Sequence, residues 1–221
     1  MSQGIVTKLA VIGTGKLGAA LAARCAKAGY DVILGSRDGA KAGRIAAELS
    51  EHFNIHRLGG ASNIDAANQA ALVILAVPHA AQRELLESLR PALKGKVVVT
   101  AVNALNPEDI RRVKLPAISA AVEAQELLGD EVKVVAAFQT VMHRILLDLD
   151  TPAESEAFVA GNDADAKRQV MRLAQAIGMR AWDIGPIENA AATETFASVI
   201  LHLGAQHGTK FAGLRVTGIE G

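Results

Sequence analysis

A doubly wound α/β fold, with a mostly parallel sheet and a small C-terminal α/β extension, is predicted by three features of this sequence. Short β-branched runs alternate with helical patterns through the first half, as crossover helices require between parallel strands. The segment Gly13-Thr14-Gly15-Lys16-Leu17-Gly18 directly follows the first apolar run and opens a helical pattern. After an acidic stretch from Asp148 to Glu156, strand and helix patterns start again.

The elements follow in order. Leu9 to Ile12 is a fully buried strand, and a helix runs from about Lys16 to Ala28, where Gly29 stops it. Asp31 to Leu34 is the second strand, a polar helix reaches about Glu51, and a weak third strand lies near Ile55 to Leu58. Leu72 to Val77 is the strongest strand, closed by Pro78, and a helix from about Ala80 to Leu93 leads to the strand Val97 to Val102. Lys133 to Phe138 is expected to be the last strand of this sheet. Beyond it, Ala157 to Gly161 and Ala181 to Ile184 read as strands, Asp163 to Ile177 and Asn189 to Gln206 as helices. Residues 1–150 are thus expected to form a nucleotide-binding Rossmann-type domain, and 151–221 a smaller part that extends the sheet and closes over the cofactor.

Composition narrows the partners. Lys and Arg total 23, as do Asp and Glu, and aromatics are 3% of 221 residues. Neither a global pull toward nucleic acid nor a base-stacking platform is expected. The first residues are too few and too polar for a signal peptide, and no apolar run approaches the ~18 residues that span a bilayer. A soluble, cytoplasmic protein is the expectation. The single cysteine, Cys25, excludes an intramolecular disulfide and reads as a small core residue on a helix.

The glycine segment fits G-x-G-x-x-G in the context that gives the pattern meaning. Gly13 makes the tight turn, Gly15 lets backbone approach a pyrophosphate, and Gly18 lets helix and strand pack closely. The head of the helix then offers free N–H groups, including those of Lys16 and Leu17, to the phosphates. A site for NAD usually carries Asp or Glu at the tip of the second strand, to bond the ribose 2′-hydroxyl. That tip is Gly35-Ser36-Arg37 here, with Lys41 a turn further on. Ser36 can donate to a 2′-phosphate, Arg37 can form a forked pair with it, and Lys41 adds a point charge. NADP(H) is the expected cofactor. Val77 and Pro78 after the fourth strand, and Asn103 after the fifth, lie at carboxyl ends of strands and should flank the nicotinamide. His79 reads as a plain surface residue.

The chain resembles the NADPH-dependent reductases of the deazaflavin coenzyme F420. The resemblance rests on GTGKLG, on SRDGAK from Ser36, on VPHA and on KVVAAFQT from Lys133 to Thr140. It continues through AGNDADAKRQVM and WDIGPIENA to GLRVTG. It implies direct hydride transfer between NADP(H) and the deazaflavin co-substrate, with no catalytic residue and no metal, and a homodimer. It also implies that Thr14 and Gly15 touch the pyrophosphate. Phe138, Gln139, Thr140 and Val141 would line the deazaflavin pocket, with Glu194 and Thr195 nearby. The chain departs from the family pattern at Gln139, where histidine is frequent, and at Ala191-Ala192, where some members carry a basic residue.

Two alternatives remain open. One is an NADPH-dependent reductase of another acceptor: a flavin, a ferric chelate or an imine. The other is a non-catalytic NADP-sensing module. Of the remaining residues, Trp182 reads as a core strand residue, and His202 and His207 are wrongly spaced to share a helical face. Arg111, Arg112 and Lys114 form a short basic cluster that reads as a solvated loop rather than an anion site, although an anionic lactyl-phosphate-glutamate tail would suit it. Partners are expected to be small molecules, without nucleic acid or membrane.

Overall fold

The computed structural model describes residues 8–113 and 118–219. Its centre is an eight-stranded sheet of order β3-β2-β1-β4-β5-β6-β7-β8. The strands are β1 (Lys8–Ile12), β2 (Asp31–Ser36), β3 (Leu58–Ser62), β4 (Leu72–Leu75), β5 (Val97–Thr100), β6 (Lys133–Ala136), β7 (Ala157–Gly161) and β8 (Ala181–Asp183). The first six are parallel to one another. β7 joins antiparallel to β6, and β8 runs parallel to β7.

The helices are α1 (Lys16–Lys27), α2 (Gly39–Phe53), α3 (Asn63–Gln69), α4 (Gln82–Leu93), α5 (Ala120–Leu128), α6 (His143–Leu147), α7 (Ala164–Ala176) and α8 (Ala190–Gln206). Two apolar layers separate them. Leu9 and Val11 of β1 face a core with α1, α6 and α7, while Ala10 and Ile12 face one with α3, α4 and α5. Alternate residues of one strand serve opposite layers because side chains along a strand alternate, which makes the sheet doubly wound.

Several expectations need correction. The third strand is Leu58–Ser62 rather than Ile55 to Leu58, because its sequence, LGGAS, is chosen for closeness and not for β propensity. A Cβ on Gly60 would lie 2.3 Å from the carbonyl carbon of Ala42, so α2 can press onto β3 only over glycine. Helices α3, α5 and α6 were not anticipated; each is short and small-residue-rich or lies in a connection. The strand at Lys133 is not the last of the sheet, which β7 and β8 continue. It also ends at Ala136, since Phe138 takes a φ of 72° and turns the chain away. β4 and β5 likewise stop at Leu75 and Thr100, short of Val77 and Val102. The helix expected from Ala80 begins as a 3-10 turn over His79–Ala81 and becomes α-helical at Gln82.

A buried cation ties the C-terminal part to α1. Arg24, 5% exposed on α1, donates to the carbonyls of Ile177 at 2.6 Å, Asp148 at 2.7 Å and Thr151 at 2.8 Å. It also reaches those of Ile145 and Leu146 at 3.2 and 3.4 Å. Burial pushes its pKa down, and Asp148 pulls it back up. Next to it, Cys25 is wholly buried and its thiol is pushed up to about 12, first by burial.

Candidate functional site

The carboxyl ends of the parallel strands open onto a cleft of about 460 Å³. It brings together Gly13, Thr14 and Gly15 of the turn after β1, Ser36 and Arg37 at the tip of β2, and Lys41 of α2. Val77 and Pro78, after β4, line the same cleft. Residues far apart in sequence meet here because ligand crevices form where strand order reverses, between β1 and β4.

The three motif glycines differ in what they permit. Gly13 has a φ of 121°, and a Cβ there would sit 2.3 Å from the carbonyl oxygen of Ala76. A Cβ on Gly18 would lie 1.9 Å from the carbonyl oxygen of Gly13, so that glycine is a packing requirement. Around Gly15 nothing lies within 4 Å; its missing side chain leaves open space facing the head of α1. Gly15 caps α1 without a side-chain hydrogen bond, and the first turn holds no acidic residue. The orphan N–H groups and positive end of α1 are therefore free for an anion.

At the β2 end, Arg37 and Lys41 are exposed, and neither is in an ion pair among the described residues. Asp38 is a carboxylate close to them that the sequence reading passed over. Its Oδ1 accepts the N–H groups of Ala40 at 2.9 Å and Lys41 at 3.2 Å, capping α2. The Oγ of Ser36 accepts the N–H of Asp38 at 3.3 Å. Asn63 also lines this part of the cleft, with a buried Oδ1 that has no partner. It was missed because it follows the strand whose position was misread; α4 contributes Glu84, Leu85 and Ser88 from the other wall.

Asn103 and the Phe138–Val141 segment are not among the residues that line this cleft; side-chain amides tie them to each other. Asn103 Nδ2 donates to the carbonyl of Gln139 at 3.1 Å, and Gln139 Nε2 donates to that of Thr100 at 3.0 Å. The structure thus joins Asn103 to the Phe138–Val141 segment. Asn103 Oδ1 and Gln139 Oε1 remain buried without partners. Phe138, Gln139, Thr140 and Val141 are all buried, and none of them lines the cleft. Glu194, on α8, accepts the N–H groups of Ala120 at 3.0 Å and Ala121 at 3.2 Å. It holds the first turn of α5, and burial raises its pKa even though these amides and that of Ala104 oppose the rise. Thr195, half-buried, donates its hydroxyl to the Ala191 carbonyl at 2.7 Å.

His79 is more than a plain surface residue. Its Nε2 lies 2.9 Å from Glu123 Oε2. Glu123 Oε1 accepts from Arg83 at 2.6 Å, and its Oε2 accepts Gln82 Nε2 at 3.2 Å. Burial pushes the Glu123 carboxyl up, but the His79 and Arg83 contacts outweigh it and hold the pKa low. Trp182 is partly buried and donates to Glu156 at 2.7 Å. His202 and His207 are both exposed. Arg111 pairs with Asp109 at 3.2 Å, and Lys114 lies outside the described residues.

Comparison with known proteins places this geometry among others. Residues 8–104 match the family model described as NADP oxidoreductase, coenzyme F420-dependent. The F420-dependent NADP reductase of Methanothermobacter marburgensis is 36% identical over 222 residues, 96% of this chain and 99% of that protein. The reductase of the same name from Methanocaldococcus jannaschii is 35% identical with the same coverage. A crystal structure of a candidate F420-dependent NADP reductase from Arthrobacter sp. FB24 superposes with a TM-score of 0.81 at 27% identity. That match covers 96% of this chain and 99% of the other.

Proposed function

We infer the reaction from the family: the chain belongs to the F420-dependent NADP reductases, and it transfers a hydride between NADP(H) and the deazaflavin coenzyme F420. The observation that carries the nucleotide half is the clear space at Gly15, in front of the uncapped head of α1. The two cofactors supply the chemistry, a hydride passing between carbon 4 of nicotinamide and carbon 5 of the deazaflavin. The protein has to hold them face to face and keep water out.

Each part of the cleft takes a share of this task. Amides at Thr14 to Gly18 bind the pyrophosphate. Ser36, Arg37 and Lys41 bind the 2′-phosphate, helped by the Asp38 carboxylate being engaged in the α2 cap. Asn63 Oδ1 accepts from an adenosine hydroxyl or amino group. Val77, Pro78 and Asn103 frame the nicotinamide. The unpartnered oxygens of Asn103 and Gln139 are two acceptors for N–H groups of the cofactors. Phe138 to Val141 shape the acceptor side from beneath. Glu194 positions α5 and the Ala104 loop, and Thr195 lies beside it.

Residues 1–150 serve as the nucleotide-binding part, and residues 151–221 close the acceptor side. Phe196, Val199 and Leu203 stand exposed along one stripe of α8, a face suited to a homodimer. Among the described residues no helix is long and apolar enough to cross a membrane.

The test is an absorbance assay with NADPH and purified coenzyme F420, run beside NADH and FMN. Rapid loss of deazaflavin absorbance with NADPH, and slow loss with NADH, is expected. NADPH binding without deazaflavin turnover would overturn the acceptor and favour another electron acceptor or a sensing role.

A further inference from the structure

The turn from β4 into α4 is a wall with two faces. One face lines the nucleotide cleft, through Val77, Pro78, Ala81, Glu84, Leu85 and Ser88. Their spacing follows the helical repeat, so they share one side of the segment. The residues between them, His79, Gln82 and Arg83, meet α5 instead, and all three converge on one carboxylate. Glu123 Oε2 lies 2.9 Å from His79 Nε2 and accepts Gln82 Nε2 at 3.2 Å, while its Oε1 accepts from Arg83 at 2.6 Å. Gln82, wholly buried, also donates to the Ala120 carbonyl at 2.9 Å.

The cleft end of this wall leaves the sheet early. Its bond toward β1 runs from the Ala76 N–H to the Ile12 carbonyl at 2.9 Å. Past that point the turn closes on itself, the Ala81 N–H donating to the Pro78 carbonyl at 2.9 Å. Further along α4, Leu86, Leu89 and Leu93 share an apolar cluster with Ala120, Ala121 and Ala124 of α5. Apolar contact is non-directional, so it holds the two helices together without fixing the end turn. At the cleft the contact changes character to hydrogen bonds on one carboxylate, and these do fix direction. Glu123 acts from a firm base. Ser119 Oγ accepts the Val122 N–H at 3.2 Å, and Glu194 accepts those of Ala120 and Ala121. The wall also abuts the phosphate turn, since a Cβ on Gly13 would lie 2.3 Å from the Ala76 carbonyl oxygen and 3.1 Å from the Val77 side chain.

We propose that Glu123, which lines no part of the cleft, is a positioning residue for hydride transfer: through His79, Gln82 and Arg83 it sets where Pro78 and the first turns of α4 stand against the bound nucleotide. This rests on the reading above that places the nicotinamide beside Pro78. A wall released from Glu123 still folds, but it presents the nicotinamide loosely to the acceptor.

The experiment measures three quantities in the wild type, Glu123→Ala, His79→Ala and His79→Gln: the Kd for NADPH by fluorescence titration, kcat with coenzyme F420, and the primary isotope effect with NADPH deuterated at the transferred position. A thermal melt fixes a working temperature at which every variant is folded. The His79 pair tests the same clamp at a side chain that is 39% exposed, where substitution is well tolerated. Glu123→Ala should lower kcat roughly tenfold, within the range that a misplacement of about 1 Å costs. Its Kd should rise less than kcat falls, and its isotope effect should grow as the hydride step becomes limiting. His79→Ala should shift in the same direction by a smaller factor, and His79→Gln, whose amide can still donate to Glu123, should recover most of it. A lower Tm with kcat, Kd and isotope effect all within twofold of wild type would reduce Glu123 to a structural contact and overturn the proposal. Equal losses in His79→Ala and His79→Gln would overturn the route through His79. Wild-type protein that binds no NADPH would remove the nucleotide reading itself, and the positioning role with it.

Discussion

Replacing Arg24 by Leu should destabilise the protein by about 3–5 kcal/mol, the cost of taking one member from a buried charged network. The substitution keeps most of the aliphatic volume and removes the guanidinium from five carbonyls. Two of those carbonyls, from Asp148 and Thr151, are only partly buried and can turn to water. The three from Ile145, Leu146 and Ile177 are buried. Each acceptor stranded in the interior costs about 1–3 kcal/mol. Against that stands the relief of no longer desolvating a cation, several kcal/mol per ion, so the gross loss is reduced to the smaller net figure. For a chain of this size each kcal/mol lowers Tm by about 2–4 °C, giving a fall of at least about 6 °C by calorimetry. Arg24→Lys should recover part of it, since an ammonium supplies three donors. A Tm within about 2 °C of wild type for Arg24→Leu would show that the carbonyls are satisfied by other means and refute the reasoning.

Other outcomes follow from the cleft and its surroundings. Arg37→Ala should raise the KM for NADPH by roughly ten- to a hundredfold, the loss of charge-assisted hydrogen bonds, and leave that for NADH little changed; equal effects on both would remove the 2′-phosphate contact. Gly15→Ala should fold with wild-type Tm, having free space around its Cβ, yet bind NADPH more weakly by titration. Gly18→Ala should instead lower Tm, by about 1–3 kcal/mol of overpacking, because its Cβ meets the Gly13 carbonyl. Glu123 has a folded pKa held below the unfolded value. Its contribution is present above the ordinary glutamate pKa of about 4.3 and is lost as pH falls through the lowered value. Urea titrations of Glu123→Gln should therefore show a deficit at neutral pH that shrinks on acidification; a constant deficit would discount the ion pairs.

Most of the nucleotide half was legible because its chemistry is local. The turn from Gly13 to Gly18 and the Ser36–Arg37 tip are contiguous in sequence, and the buried strands on either side are β-branched runs. β3 was misplaced because its residues answer to the approach of α2, a tertiary demand that no strand propensity expresses. Asn63 was lost with it. The surroundings of Asn103 and Glu194 were hidden for a related reason: Asn103 is bonded to Gln139 across 36 positions and Glu194 to Ala120 across 74, and no spacing rule foretells such pairings. Asp38 was overlooked although its signal was present, an aspartate immediately before a helical pattern.

Cys25 has a practical consequence. The chain's single thiol is fully buried beside the arginine that ties the two ends of the molecule together. A buried thiol with so high a pKa does not react with alkylating reagents until the surrounding structure opens. The protein thus carries its own unlabelled reporter. The slow alkylation rate of that one sulfur measures how often α1 separates from its neighbours, and any cofactor that tightens the assembly will register as a slower rate.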